Sequence, residues 1–116
     1  MQPTDLDPAP PTAPAPLPAP ELSGKQRRHL RALGHHLHAI VQVGHEGVTP
    51  ALVLQTSAQL GAHELIKVKV SEGSPEGRHA TAEALARETG SALAQVLGRT
   101  FLLYKAREED PAIKLP

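Results

Sequence analysis

Cysteine and tryptophan are absent from this chain of 116 residues, and phenylalanine and tyrosine occur once each. Without cysteine the protein can form no disulfide, no thiolate metal site and no cysteine nucleophile, which is compatible with a reducing compartment. Because Phe101 and Tyr104 fall in the last predicted strand, we expect both aromatic rings in the core. Platforms on which nucleic-acid bases could stack are therefore scarce.

Long apolar runs are also missing from the sequence. No stretch approaches the roughly 18 apolar residues of a membrane span. The N-terminus has neither the basic region nor the apolar region of a signal peptide. We therefore expect a cytoplasmic protein with no membrane partner.

Proline is concentrated at one end of the chain. Eight of the 12 prolines lie within residues 1–20, where alanine is the main companion and large apolar residues are rare. Such a segment has too little apolar surface to offset the entropy that it would lose on ordering. We therefore predict a disordered or polyproline II tail. The predicted folding domain is 21–105, and residues 106–116 form a C-terminal tail that contains Glu108, Glu109 and Asp110.

Charge is distributed unevenly, although the formal net charge is zero. Between Leu22 and Arg107 there are 11 basic and 6 acidic side chains, which gives this part of the chain a net charge of +5. A basic body with acidic ends is typical of a protein with a polyanionic partner. A net charge of this size is, however, also ordinary for keeping a protein in solution.

The hydrophobic pattern predicts the order α-β-α-β-α-β-β. The predicted elements are a helix over 25–33, a strand over 40–43, a helix over 50–60, a strand over 63–70, a helix over 78–89 and strands over 92–97 and 100–105. Gly34, Gly61 and Gly90 are the expected helix ends, and Gly98-Arg99 suits a tight hairpin turn. The predicted fold class is α/β, a mixed four-stranded sheet packed with helices.

A G-x-x-G turn follows the first predicted strand. Its residues are Gly44, His45, Glu46 and Gly47, and a Thr49-Pro50 helix start comes directly afterwards. Glycines allow close approach of the backbone, and the positive end of a helix favours an anion. The turn therefore indicates a phosphate site, although two glycines at this spacing also occur in ordinary connections.

Cations dominate the first predicted helix. Lys25, Arg27, Arg28 and Arg31 occur there without one acidic residue between positions 22 and 38. Because Lys25, Arg28 and Arg31 follow one another at helical spacing, they form a cationic ridge. The ridge is either a binding surface or a solvated face.

Several segments together resemble the bacterial YhbY proteins, single-domain members of the chloroplast RNA splicing and ribosome maturation (CRM) family. They are Ser23-x-Lys25-Gln26-Arg27-x-x-Leu30-x-x-Leu33, Val43-Gly44-x-x-Gly47-Val48-Thr49, His63-Glu64-Leu65-Ile66-Lys67-Val68-Lys69, Arg87-Glu88-Thr89-Gly90, Gly98-Arg99-Thr100-Phe101-x-Leu103-Tyr104 and the ending Ile113-Lys114-Leu115-Pro116. The resemblance covers about Leu22 to Tyr104 in the same order.

The resemblance implies a non-catalytic RNA-binding domain that associates with precursors of the large ribosomal subunit. It also implies a fold similar to the C-terminal domain of translation initiation factor 3, with a G-x-x-G loop like that of KH domains. The candidate RNA-binding residues are Gly44, His45, Glu46, Gly47, Lys25, Arg27, Arg28, Arg31, Lys67, Lys69 and Arg99. Glu46 departs from the family, which commonly has polar, small or basic residues in this loop.

Two other classes of function compete with RNA binding. His35, His36, His38, His45 and His63 could suggest a metal enzyme, but no H-E-x-x-H motif and no nucleophile motif occurs. We expect no catalysis, no cofactor, no metal and no small-molecule substrate. The alternative function is a protein-interaction adaptor that uses the basic helix and the proline-rich tail.

Overall fold

Three helices and four strands follow one another in the predicted order. The structure is a computed structural model that describes residues 20–116, so the predicted tail at residues 1–19 lies outside the described part. The elements are α1 Gly24–Gly34, β1 Ala39–Val43, α2 Pro50–His63, β2 Leu65–Val70, α3 Arg78–Thr89, β3 Ala92–Leu97 and β4 Thr100–Tyr104. The prediction of an α/β domain with a mixed four-stranded sheet is confirmed.

The strands form one sheet in the order β1-β2-β4-β3. β1 and β2 are parallel, as expected for a strand-helix-strand unit, and β4 is antiparallel to both β2 and β3. Gly98 has φ 60° in the turn between β3 and β4, which agrees with the predicted hairpin. Because β1 and β2 are parallel, the 44–47 loop and the loop after β2 leave the same end of the sheet.

Helices cover both faces of the sheet. On one face, α2 and α3 pack with the strands into the larger core, formed by Val41, Val43, Leu52, Leu60, Ile66, Val68, Val70, Ala82, Leu85, Ala86, Phe101 and Leu103. On the other face, α1 packs into a smaller cluster of Leu30, Leu65, Ala94, Leu102 and Tyr104. Phe101 is 1% exposed and Tyr104 3% exposed, so the prediction that both aromatics are core residues is confirmed.

Helix α1 begins as predicted but does not end as predicted. Ser23 and Gln26 form a reciprocal capping box, in which Ser23 Oγ accepts from the Gln26 backbone N–H at 3.1 Å. Gly34, predicted to lie beyond the helix, is its last helical residue and is buried. A Cβ atom there would overlap the Leu102 side chain, so this glycine permits close packing of α1 on the sheet.

Helix α2 is longer than predicted. It continues through Gly61 to His63, and the chain leaves the helix at Glu64, whose φ is 65°. The Glu64 backbone N–H donates to the Leu60 carbonyl at 2.8 Å, and its carbonyl accepts from Lys105 N at 2.8 Å. The predicted strand over 63–70 therefore starts later, at Leu65, and Lys105 lies just beyond β4.

The C-terminal segment 106–116 lies against the domain. The Glu64 carboxylate accepts three backbone N–H groups, from Arg107 at 2.8 Å, Ala112 at 2.7 Å and Ile113 at 2.9 Å. Ile113 and Leu115 pack on the smaller cluster under α1. The segment is thus held by a buried carboxylate and by apolar contacts.

The electrostatics of Glu64 follow from these contacts. Burial would raise the pKa of Glu64, but hydrogen bonds from Arg107, Ile113 and Ala112, together with the Arg107 charge, hold it below its usual value. Burial also raises the pKa of Tyr104, and the negative charge of Glu64 raises it further. Glu64 is therefore a charged structural residue.

Candidate nucleic-acid interface

The 44–47 loop is a tight turn at the end of β1. The Gly47 N–H donates to the Gly44 carbonyl at 3.0 Å, which leaves His45 and Glu46 exposed at the tip. Gly47 has φ 73°, and an added Cβ would lie 3.0 Å from Pro75 Cγ. Glycine is therefore required at position 47 both by conformation and by space. An added Cβ at Gly44 would meet no atom within 4 Å.

Helix α2 starts directly behind this loop. Thr49 is its N-cap, and Thr49 Oγ1 accepts from the Leu52 N–H at 3.1 Å. Pro50 has no N–H to offer, so Ala51 supplies the other amide donor of the first turn. A groove of about 230 Å³ lies here, lined by Gln42, Gly44, His45, Glu46, Gly47, Thr49, Ala51, Leu52 and Gln55. The groove thus places glycine backbone next to the positive end of a helix.

The predicted cationic ridge is present on α1. Lys25, Arg28 and Arg31 are exposed, and no ion pair involves them within residues 20–116. Arg27 is also exposed, but its guanidinium donates a hydrogen bond to the Leu93 carbonyl on β3. The ridge therefore offers three uncompensated charges and a fourth that is partly held by the sheet.

The two lysines of β2 lie on the same face of the sheet as α1. Lys69 is exposed and Lys67 half-buried, and they alternate with Val68, whose side chain is in the core on the opposite face. Lys69 is the register partner of Gln42, which also lines the loop groove. Lys69 and Gln42 therefore connect the loop groove to the exposed part of the sheet face on which α1 packs.

Arg99 differs from the other candidate residues. Its Nη2 lies 2.7 Å from Glu72 Oε1, and both side chains are largely exposed. Its backbone carbonyl accepts from Val70 N at 2.7 Å, which places the hairpin beside the end of β2. Arg99 thus lies at the same end of the sheet as the loop, with its charge already paired.

Sequence reasoning missed Gln42, Ala51 and Gln55, which line the loop groove. Gln42 could have been found from the alternation in β1, because it lies between Val41 and Val43, which are buried. Ala51 and Gln55 could not be found in this way, because the geometry of the turn decides which residues of α2 face the loop.

The described residues contain neither a metal-binding cluster nor a membrane-spanning helix. Among residues 20–116, no group of three or more His, Asp or Glu side chains could hold a metal ion. Glu64, which follows His63 in sequence, uses both carboxylate oxygens for backbone amides. Within the same range, no helix has the length and apolar character needed to cross a membrane.

The fold and the loop define the class as a small α/β domain with a glycine turn at a helix N-terminus. Residues 22–105 match the sequence model of the CRS1 / YhbY (CRM) domain. The chain belongs to this family.

Several known proteins are similar to it. Over 95 residues it is 44% identical to the probable RNA-binding protein YqeI of Bacillus subtilis, covering 82% of this chain and 99% of that protein. It is 39% identical over 95 residues to an RNA-binding protein of Haemophilus influenzae, covering 82% and 95% of the two chains. The solution structure of the hypothetical protein SAV1595 of Staphylococcus aureus has a TM-score of 0.72 and 36% identity, over 83% of this chain and all of that one.

Proposed function

We propose that this protein binds RNA, with the 44–47 loop and helix α1 as its contacts to the phosphate backbone. The observation that carries the proposal is the turn between Gly44 and Gly47, set at the positive end of α2 and beside Lys69. Two similar proteins are named for RNA binding, which supports the same ligand class here.

The chemistry of such a site is mainly electrostatic. Backbone glycines let a phosphate approach the main chain, while cations on α1 and β2 neutralise the charge of neighbouring phosphates. Because Phe101 and Tyr104 are buried, neither offers a ring to an incoming base. Recognition would therefore depend on RNA shape more than on base identity.

The ligand we propose is precursor ribosomal RNA, and the role is assistance in assembly of the large ribosomal subunit. We propose a non-catalytic, cytoplasmic protein that acts without a cofactor on a pre-ribosomal particle. The similarity to the C-terminal domain of translation initiation factor 3 stays a prediction from the family resemblance. Support comes from membership of the CRM family and from the cationic ridge on α1.

The test reverses two charges on the ridge. With Lys25→Glu and Arg28→Glu together, we expect RNA affinity to fall and the slope of log K against log salt to become shallower by about 1.4 for single strands. Binding isotherms with a transcript of precursor large-subunit RNA, at several salt concentrations, measure both quantities.

The matched control is the double variant Arg78→Glu, Arg87→Glu on α3. It makes the same change in net charge on exposed positions of the opposite face. We expect its affinity to fall less and its salt slope to change less than for the ridge variant. Equal effects of the two double variants would show that only net charge matters and would contradict the proposed contact surface.

A further inference from the structure

A second, larger groove lies on the face of the sheet that α1 does not cover. It runs between α2 and α3, has a volume of about 700 Å³ and includes the back of the 44–47 loop. Its apolar lining consists of Val48, Pro50, Val53, Leu54, Pro75 and Ala84. Leu54 of α2 is 72% exposed, which makes it the most exposed of the large apolar side chains in the described residues. The groove therefore offers apolar surface that the domain itself does not bury.

The charges around this groove have one predominant sign. Glu46, Glu76 and Glu88 line it, against Arg87 as the basic side chain. Arg87 Nε lies 4.0 Å from Glu88 Oε2, whereas Glu46 and Glu76 make no ion pair within residues 20–116. Helix α2 adds no Lys, Arg, Asp or Glu to the wall. An apolar floor is thus bordered by a net negative rim.

This rim contrasts with the cationic α1 face. A polyanion would be repelled by Glu46 and Glu76, while a cationic segment would be attracted at short range. A groove between two helices with apolar side chains inside suits an amphipathic segment that inserts its apolar residues. The volume is large enough for several such side chains.

We propose that the α2–α3 groove binds an amphipathic basic segment of a protein, with leucine-type side chains on the floor and Lys or Arg side chains against Glu46, Glu76 and Glu88. The groove and the α1 ridge lie on opposite faces of one sheet. The ridge would stay accessible when the groove is occupied, whereas the 44–47 loop borders the groove directly. Glu46, Gly47 and Thr49 line both this groove and the smaller loop groove.

The experiment uses a fluorescent peptide with leucine and lysine at helical spacing, and a second peptide in which glutamate replaces every lysine. Fluorescence anisotropy with the full chain measures the affinity of each. We expect the lysine peptide to bind and the glutamate peptide not to bind. Glu76→Gln with Glu88→Gln should weaken binding about fivefold, as expected for two partly exposed ion pairs.

Two controls match these changes. Glu108→Gln with Glu109→Gln removes the same charge from the exposed C-terminal segment and should leave peptide affinity unchanged. Leu54→Ser should weaken binding about tenfold through lost apolar contact, whereas Leu97→Ser, at a leucine 64% exposed on β3, should not.

Two results would overturn the inference: wild-type affinity in the Glu76/Glu88 variant, or equal binding of both peptides. Neither of them depends on the ridge on α1. RNA binding that fails while peptide binding persists would reject the proposed function alone. Thermal denaturation of each variant tests whether the fold is intact.

Discussion

The two glycines that bound the 44–47 loop have different physical roles. Gly47 adopts φ 73° and lies against Pro75, so any side chain there would strain the backbone and meet the neighbouring loop. Gly44 has neither constraint, and open space surrounds it. A substitution at Gly44 therefore changes what a ligand encounters without changing the domain.

Gly44→Asp is the residue-scale test of the loop. The carboxylate would occupy the groove where we place a phosphate, so we expect RNA affinity to fall by about tenfold or more, on the scale of one lost or repelled charged contact. Filter binding at fixed salt measures the change.

Gly61→Asp is the control for the loop variant. Position 61 is exposed in the last turns of α2, also has open space around it and would receive the same negative charge away from the loop. It should bind RNA nearly as the wild type does. If Gly44→Asp also binds as the wild type does, the loop is not a phosphate contact.

At the scale of elements, α2 shows what the sequence could predict and what it could not. Its start at Thr49-Pro50 follows from local capping chemistry and is confirmed. Its predicted end at Gly61 is wrong, because an interior glycine costs only about 1 kcal/mol. The helix ends at His63, and the next residue, Glu64, binds backbone amides 43 to 49 positions later in the chain. Such contacts have no local signal.

Removal of residues 107–116 tests how strongly that segment stabilises the domain. The truncation leaves the Glu64 carboxylate without its three amide donors and exposes apolar surface under Ile113 and Leu115. We expect a loss of about 3 kcal/mol or more in the free energy of unfolding. Urea denaturation measures it.

The control for the truncation keeps the segment but changes its exposed tip. Glu108→Gln with Glu109→Gln leaves every amide donor to Glu64 in place, so stability should stay within about 0.5 kcal/mol of the wild type. A truncated chain with the wild-type denaturation midpoint would show that the segment contributes little.

At the scale of the whole molecule, the fold was easier to predict than which side chains lie together on one surface. Element order and the mixed sheet followed from hydrophobic periodicity and turn residues, because these are local properties. The sequence also located the 44–47 loop and the cations of α1. It could not show that α1 and Lys69 share a face, or that Glu46 and Glu76 border a groove, since both depend on how elements pack.

Acid should destabilise the domain through Glu64. Because its folded pKa lies below the ordinary value, its stabilisation is present above the unfolded pKa, near 4.5, and is lost as pH falls through the folded pKa. Glu64→Gln mimics the protonated side chain, so we expect lower stability at neutral pH and a shallower decline below about pH 5. Thermal melts from pH 7 downward measure this.

Glu83, an exposed residue of α3, provides the control. The Glu83→Gln variant should lose stability with acid as the wild type does. A Glu64→Gln variant that loses stability with acid as steeply as the wild type would show that other carboxylates dominate the transition.

The contacts of Glu64 also have a consequence for synthesis of the chain. The carboxylate is made well before the amides of Arg107, Ala112 and Ile113 that it binds, so these three hydrogen bonds form only after the C-terminal segment has left the ribosome. The sheet can form once β4 is complete, but the face under α1 closes only with the last residues. Gln26 Nε2 donates to the carbonyl of Pro116 at 3.3 Å, so a purification tag joined at that end would begin next to the first turn of α1.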